Sequence, residues 1–222
     1  MREVEPREAP SEPFPWASAT IVAVCVLLHA LKFYTLEHWP PKDGAGFVAI
    51  TLRFGALYGP SVHDGEWWRM ITYAFAHGSR LHLLMNMLAV WGLGIPLERR
   101  IGTLKYLQLS LVVCLGSAAL VLLVPGRGGP TPTVGLSGVI LGWAGAFLFL
   151  LGRAQVRQLG RLLLLNALIS LIPGISWQGH LGGFLFGLPC GLILRRDPAS
   201  FSARAPVLAA VAGAIAIFAV YR

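Results

Sequence analysis

Ser137 and His180 supply the two side chains that nucleophilic hydrolysis needs, a hydroxyl and an imidazole able to take its proton. Ser137 lies in Gly135-Leu136-Ser137-Gly138, after a Pro-rich turn and at the expected start of a helix. Unpaired backbone N–H groups at a helix start can stabilise an oxyanion, and the glycines let a substrate backbone approach. The same residues also suit plain helix packing, since Gly138 and Gly142 form a GxxxG pair. His180 lies in Gly179-His180-Leu181-Gly182-Gly183, at the edge of a stripe of Gly179, Gly183, Gly187 and Gly191. That stripe fits close approach to the Gly138/Gly142 face, which would bring His180 to Ser137; an interfacial histidine without catalytic role is the other reading. His82 and Asn86 are four apart, hence on one helical face. Both could donate to one oxygen, completing an oxyanion hole with the Ser137 N–H. Metal ligation is the rival for such a pair, but Asn is a poor zinc ligand and no HExxH is present.

The ten acidic residues narrow the chemistry. None falls in the middle of an apolar run, which excludes a buried aspartyl dyad, and none is placed to orient His180. A serine hydrolase built here would use a dyad whose imidazole is held by packing. Cys25, Cys114 and Cys190 lie in apolar stretches without metal-ligand spacing and read as small hydrophobes.

The elements that must position these groups are membrane helices. Of 222 residues, 55% are hydrophobic and 13% charged, about half the charge a soluble domain carries. Apolar runs near 20 residues say that lipid solvates the surface. Seven helical spans are expected, over about 16–36, 81–97, 106–124, 134–151, 159–172, 177–194 and 206–221. Residues 1–15 read as a flexible polar tail. The apolar run after them is too long for a signal-peptide core, so it reads as a retained span. The long connection from Glu37 to Arg80 carries Trp67, Trp68 and Tyr73, which suit the headgroup level. Pro125 to Pro132 is expected to turn between the third and fourth spans.

Net charge is +8, but the basic residues cluster between apolar segments rather than interleaving with aromatics, so no nucleic acid is expected as a partner. With the N-terminus cytoplasmic, eleven of the 18 Lys and Arg residues fall on that side and the short loops decide the orientation. Spans two, four and six then start on the extracytoplasmic face. His82, Asn86, Ser137 and His180 all fall within one or two turns of it, as one site would require.

Taken together these residues resemble the rhomboid family of intramembrane serine proteases. The likeness runs from Gly65 to Leu194. It includes Trp68-Arg69, His77-Gly78, His82-x-x-x-Asn86, Glu98-Arg99-Arg100-x-Gly102, Gly135-Leu136-Ser137-Gly138 and His180-x-Gly182-Gly183-x-x-x-Gly187. The resemblance implies an all-α bundle with a six-helix core over residues 16–196, and residues 197–222 adding a linker and a seventh span. It implies Ser137 as nucleophile, His180 as general base, and His82, Asn86 and the Ser137 N–H as the oxyanion hole. Trp68-Arg69 would stabilise the first loop. Transmembrane proteins would be the substrates, cut near the outer face, with no metal or cofactor. The family usually carries Tyr or Phe four residues after the serine, its ring packed on the histidine. Here Leu141 stands, and Phe184 is an aromatic that could take that role. A non-enzymatic relative binding membrane clients would usually lack the serine or the histidine, and both are present. A transporter or channel would show internal repeats or intramembrane charges, and neither is evident.

Overall fold

The computed structural model of the chain describes residues 13–40, 46–124, 126, 131–170, 172 and 174–222. Most of the polar tail, most of the Pro125–Pro132 turn, and Pro173 lie outside the described residues. Helix α1 spans Trp16–His38. The long connection folds into short pieces, α2 Gly46–Arg53, α3 Gly59–His63 and α4 Arg69–Thr72. The second span is α5 Arg80–Ala89, a π turn Val90–Gly94 and α6 Ile95–Ile101. Then follow α7 Thr103–Leu123, α8 Ser137–Leu150, α9 Arg153–Ile169, α10 Trp177–Arg196 and α11 Phe201–Tyr221. The described residues hold no strand beyond one antiparallel bridge, Leu57 to Thr133.

Four of these rods, α1, α5–α6, α7 and α11, are long and apolar enough to cross a membrane on length and composition alone. Leu27, Leu84, Leu88, Trp91, Val207 and Phe218 are exposed on them, as a lipid-facing surface would be. Helix α8 differs. It is apolar all round and buried without a break from Gly138 to Phe147, the pattern of a central helix. Its 14 residues make about 21 Å, short of the roughly 30 Å hydrocarbon core. The fourth span was expected from residue 134, but its helix begins only at Ser137.

Two other boundaries moved for physical reasons. The fifth span was expected at 159–172, but α9 starts at Arg153. Arg153 and Arg157 therefore ride on its first turns, in line with Arg161 at four-residue spacing, rather than in a loop. The second span contains Pro96, which has no N–H to give one turn back, and the π turn just before it absorbs the fault. That turn also brings Gly94 over the buried Trp143, where a Cβ would lie 2.9 Å from the ring and from the Tyr106 hydroxyl. Helix α11 lays Ala205, Ala209, Ala212 and Ala216 against α7, a small-residue stripe suited to packing inside lipid.

Candidate active site

Ser137 owes its place to the chain before it. Leu57 and Thr133 exchange both backbone hydrogen bonds, at 2.9 and 2.8 Å, and Gly135 N–H donates to Tyr73 O at 2.9 Å. Tyr73 is itself buried and donates its hydroxyl to Cys114 O at 3.0 Å. The long connection thus pins the segment leading into α8. Gly135 has φ +121°, and a Cβ there would fall 2.7 Å from His82 Nε2, so only glycine fits the turn. An extended backbone at this depth is tolerated where protein or water satisfies it. An open cavity of about 530 Å³ borders the segment before Ser137, lined by Thr51, Gly78, His82, Thr133, Ser176 and Gln178 among others but by neither Ser137 nor His180.

His180 comes to Ser137 through a contact of backbone on backbone. A Cβ at Gly183 would land on the Gly138 carbonyl oxygen, one at Gly187 on that of Gly142, and one at Gly191 on that of Ala146. The constant offset shows that α8 and α10 run parallel. Ser176 caps α10, accepting from Gly179 N–H at 3.2 Å. The result is a 2.8 Å contact between His180 Nε2 and Ser137 Oγ, both half-buried. The glycine stripe on one helix and the Gly138/Gly142 face on the other do meet.

The other ring nitrogen is held by a residue that the sequence reading passed over. Ser170 Oγ lies 2.5 Å from His180 Nδ1, and donates to Asn166 O at 2.7 Å. A hydrogen bond therefore replaces the expected purely apolar seat. Phe184 does not take the place of the missing ring. Its side chain packs by Gly145, about two turns along α8 from Ser137. Among the described residues no aromatic ring stacks on His180. A polar Asn166-x-x-x-Ser170 pair in an otherwise apolar run was the signal to notice.

His82 and Asn86 flank the serine segment from α5. Ser79 caps that helix, its hydroxyl accepting from His82 N–H at 3.1 Å. The His82 ring lies against Gly135, and Asn86 Nδ2 points the same way, 3.8 Å from where a Gly135 Cβ would be. Asn86 is 5% exposed, and its Nδ2 has no hydrogen-bond partner among the described residues. Leaving a buried donor unpaired costs about 1–3 kcal/mol. Lys32, near the end of α1, is buried. Its Nζ donates to His77 O, and to Gly78 O at 3.3 Å, securing the entry to α5. Burial pushes the His77 imidazole down to about 3, with His82 beside it adding to the effect, so His77 is neutral near pH 7.

Of the remaining residues singled out in the sequence, Arg69 and Glu98 tie elements together by hydrogen bonds. Arg69 is buried and ties the connection together: it pairs with Glu66 and donates to Leu52 O at 2.6 Å and Ala56 O at 3.0 Å. Trp68 presents its ring outward, 58% exposed. Glu98 is buried at the far end of the second span, where it accepts from Ala17 N–H at 2.9 Å, Ser18 N–H at 2.7 Å and the Thr103 hydroxyl at 2.8 Å. It thereby satisfies the free donors at the start of α1.

Fold and composition define a multi-pass helical membrane protein. Residues 64–197 match the Rhomboid domain, and the chain belongs to the rhomboid family, a family of intramembrane serine proteases. It is 28% identical over 196 residues to "Rhomboid protease GluP" of Bacillus subtilis, covering 84% of this chain and 37% of that protein. It is 32% identical over 186 residues to "RHOMBOID-like protein 5" of Arabidopsis thaliana, covering 78% and 59%. To "Rhomboid protease GlpG" of Serratia proteamaculans it is 30% identical over 183 residues, covering 77% and 58%. The chain thus spans between about a third and three-fifths of the length of these relatives.

Proposed function

We propose that this chain is an active intramembrane serine endopeptidase that cleaves transmembrane protein substrates through a Ser137–His180 dyad. The observation that carries the reading is the 2.8 Å contact between Ser137 Oγ and His180 Nε2, made between the first turns of α8 and α10. His180 Nε2 takes the hydroxyl proton as Ser137 Oγ adds to the scissile carbonyl carbon. The carbonyl oxygen becomes an oxyanion, accepting from the Ser137 N–H, His82 and Asn86. Its collapse breaks the C–N bond, and the imidazolium gives its proton to the leaving amine. Water, deprotonated by the same imidazole, then attacks the acyl-enzyme, and the proton returns to Ser137 as the ester breaks.

The unpaired Asn86 amide beside Gly135 supports the donor assignment. Arg99, Arg100, Arg153, Arg157, Arg195 and Arg196 lie at the helix ends away from the site, and all are exposed. A cytoplasmic location for those ends puts the dyad toward the extracytoplasmic face of the cytoplasmic membrane, with the N-terminus inside. Residues 16–196 form the protease core in this reading, and α11 is an added span. A serine-directed fluorophosphonate tests it: detergent-purified wild type takes up label, and Ser137→Ala takes up none. Equal labelling of the two would remove Ser137 as nucleophile. His82→Ala or Asn86→Ala should lose about 2.7–4 kcal/mol of transition-state stabilisation if each is a full oxyanion donor. Turnover within a factor of about two of wild type would place neither in the hole.

A further inference from the structure

Both nitrogens of the His180 ring have a hydroxyl partner, and the two partners are not equivalent. Ser170 closes α9, where its backbone N–H and its hydroxyl both point back to the Asn166 carbonyl, at 2.9 and 2.7 Å. A carbonyl oxygen can only accept, so the single Ser170 proton is engaged there. What Ser170 Oγ offers to His180 Nδ1, 2.5 Å away, is then a lone pair. Nδ1 must supply the proton for that bond, which leaves Nε2 bare and facing Ser137 Oγ.

We propose that Ser170 is a positioning residue for the reaction: it fixes His180 in the Nδ1–H tautomer, the form in which Nε2 can take the Ser137 proton. The proposal rests on the Ser137–His180 reading and adds a third member to it. In familiar triads a carboxylate sets the tautomer and then stabilises the imidazolium. A carboxylate buried in lipid is costly to leave charged, whereas a hydroxyl braced by a backbone carbonyl does the orienting without a net charge. When His180 takes the proton, the Nδ1–H bond to Ser170 becomes charge-assisted and strengthens. The other titratable side chain whose charge reaches His180, among the described residues, is His82 across the site on α5. Ser137 and Ser170 are the neutral groups on α8 and α9. Ser170 is 8% exposed, so bulk water is not a ready substitute for it.

The test uses the whole chain in detergent or liposomes, with a single-span model substrate, and compares wild type, Ser170→Ala and Ser170→Thr. Ser170→Ala is expected to lower kcat on the order of 10–100-fold, part of the 10²–10⁴ that a general base contributes. KM should stay within about twofold, because no substrate contact is removed. The acid limb of kcat/KM should move to lower pH, because the imidazolium loses an acceptor. Ser170→Thr keeps the hydroxyl and should restore most of kcat and the original limb. Unchanged kcat and an unmoved limb in Ser170→Ala overturn the proposal. Should Ser170→Ala fail to fold, the 15N shifts of His180 in the wild type decide, assigned by difference against His180→Asn. A protonated Nδ1 supports the proposal, and a protonated Nε2 overturns it. Failure of the dyad itself would show separately, as cleavage that survives Ser137→Ala.

Discussion

The two halves of the candidate site are held by different kinds of joint. Ser137 and His180 sit on α8 and α10, which touch backbone to backbone along Gly138–Gly183 and Gly142–Gly187. His82 and Asn86 sit on α5, whose entry and neighbouring connection are tied by side chains reaching backbone carbonyls: Lys32 to His77, Arg69 to Leu52 and Ala56, Tyr73 to Cys114. The first joint has no side chain that can rotate out of the way. The second is a set of long, jointed struts. The Ser137 and His180 helices are therefore set against each other by shape, with Ser170 adding one hydrogen bond to the His180 ring. His82 and Asn86 are instead placed by hydrogen bonds that can lengthen or re-form. Under the proposed function, such a site would admit a substrate by yielding at His82 and Asn86 while Ser137 and His180 stay in register.

The comparison breaks first if the glycine seam tolerates a side chain. Gly183→Val puts its Cβ onto the Gly138 carbonyl oxygen, and a main-chain atom in a buried helix cannot swing aside. Overpacking costs about 1–3 kcal/mol where neighbours adjust, and more where they cannot. At about 2–4 °C per kcal/mol for a chain of this size, the expected loss is on the order of 10 °C in detergent thermal unfolding. Fluorophosphonate labelling of Ser137 should be lost with it. Gly213→Ala on α11 is the matched control. Nothing lies within 4 Å of its added Cβ, and the change should be neutral or gain up to about 1 kcal/mol from helix propensity. Equal behaviour of the two variants would mean that the seam is not a rigid joint.

The strut side should fail more gently. Arg69→Ala removes the guanidinium that bonds Leu52 O, Ala56 O and Glu66, leaving two carbonyls short of a donor in a part-buried loop. About 1–3 kcal/mol is expected for each group left unsatisfied, less where water enters. The connection also pins Gly135 through Tyr73 O, so kcat should fall while Ser137 still takes up label, only more slowly. A variant that unfolds as completely as Gly183→Val would erase the distinction between the two joints.

Sequence patterns made the seam readable and left much of the strut side hidden. Glycine at every fourth residue has one economical meaning in an apolar helix, close approach, and its partner face on residues 138 and 142 could be named with it. The four polar residues near helix starts showed a common depth for the same reason: polarity inside lipid needs a cause. The start of α8 was less legible, because Val134 is as apolar as the helix after it. Only the pairing of Leu57 with Thr133 and of Tyr73 with Gly135 keeps that segment extended. Arg153 and Arg157 precede the expected fifth span, although their four-residue spacing is already helical. Lys32 escaped because its partners are carbonyls, and a backbone oxygen leaves no mark in a sequence; Ser170 left only its polar pairing with Asn166, which does not point to His180. Which carbonyl faces which side chain is decided by how the helices pack.

A smaller effect is expected at the joint between the two halves. Trp143 lies on α8 on the side away from α10, fully buried, with its ring 4.9 Å from Tyr106 and its Nε1–H donating to Ser110 Oγ at 3.0 Å. Gly94 of the second span presses on it from above. Trp143→Phe keeps an aromatic ring there but loses the donor and part of the ring's volume. Ser110 is not orphaned by the change, since its hydroxyl still donates to Tyr106 O at 2.7 Å. The lost hydrogen bond is worth about 0.5–1.5 kcal/mol, and at about 2–4 °C per kcal/mol the midpoint should fall by a few degrees. Labelling of Ser137 should persist at the wild-type rate, because the ring touches neither the seam nor the donors. A loss as large as that of Gly183→Val, with labelling abolished, would mean that the second span and α8 form one rigid unit. The donors would then have no freedom to yield independently of the reacting pair.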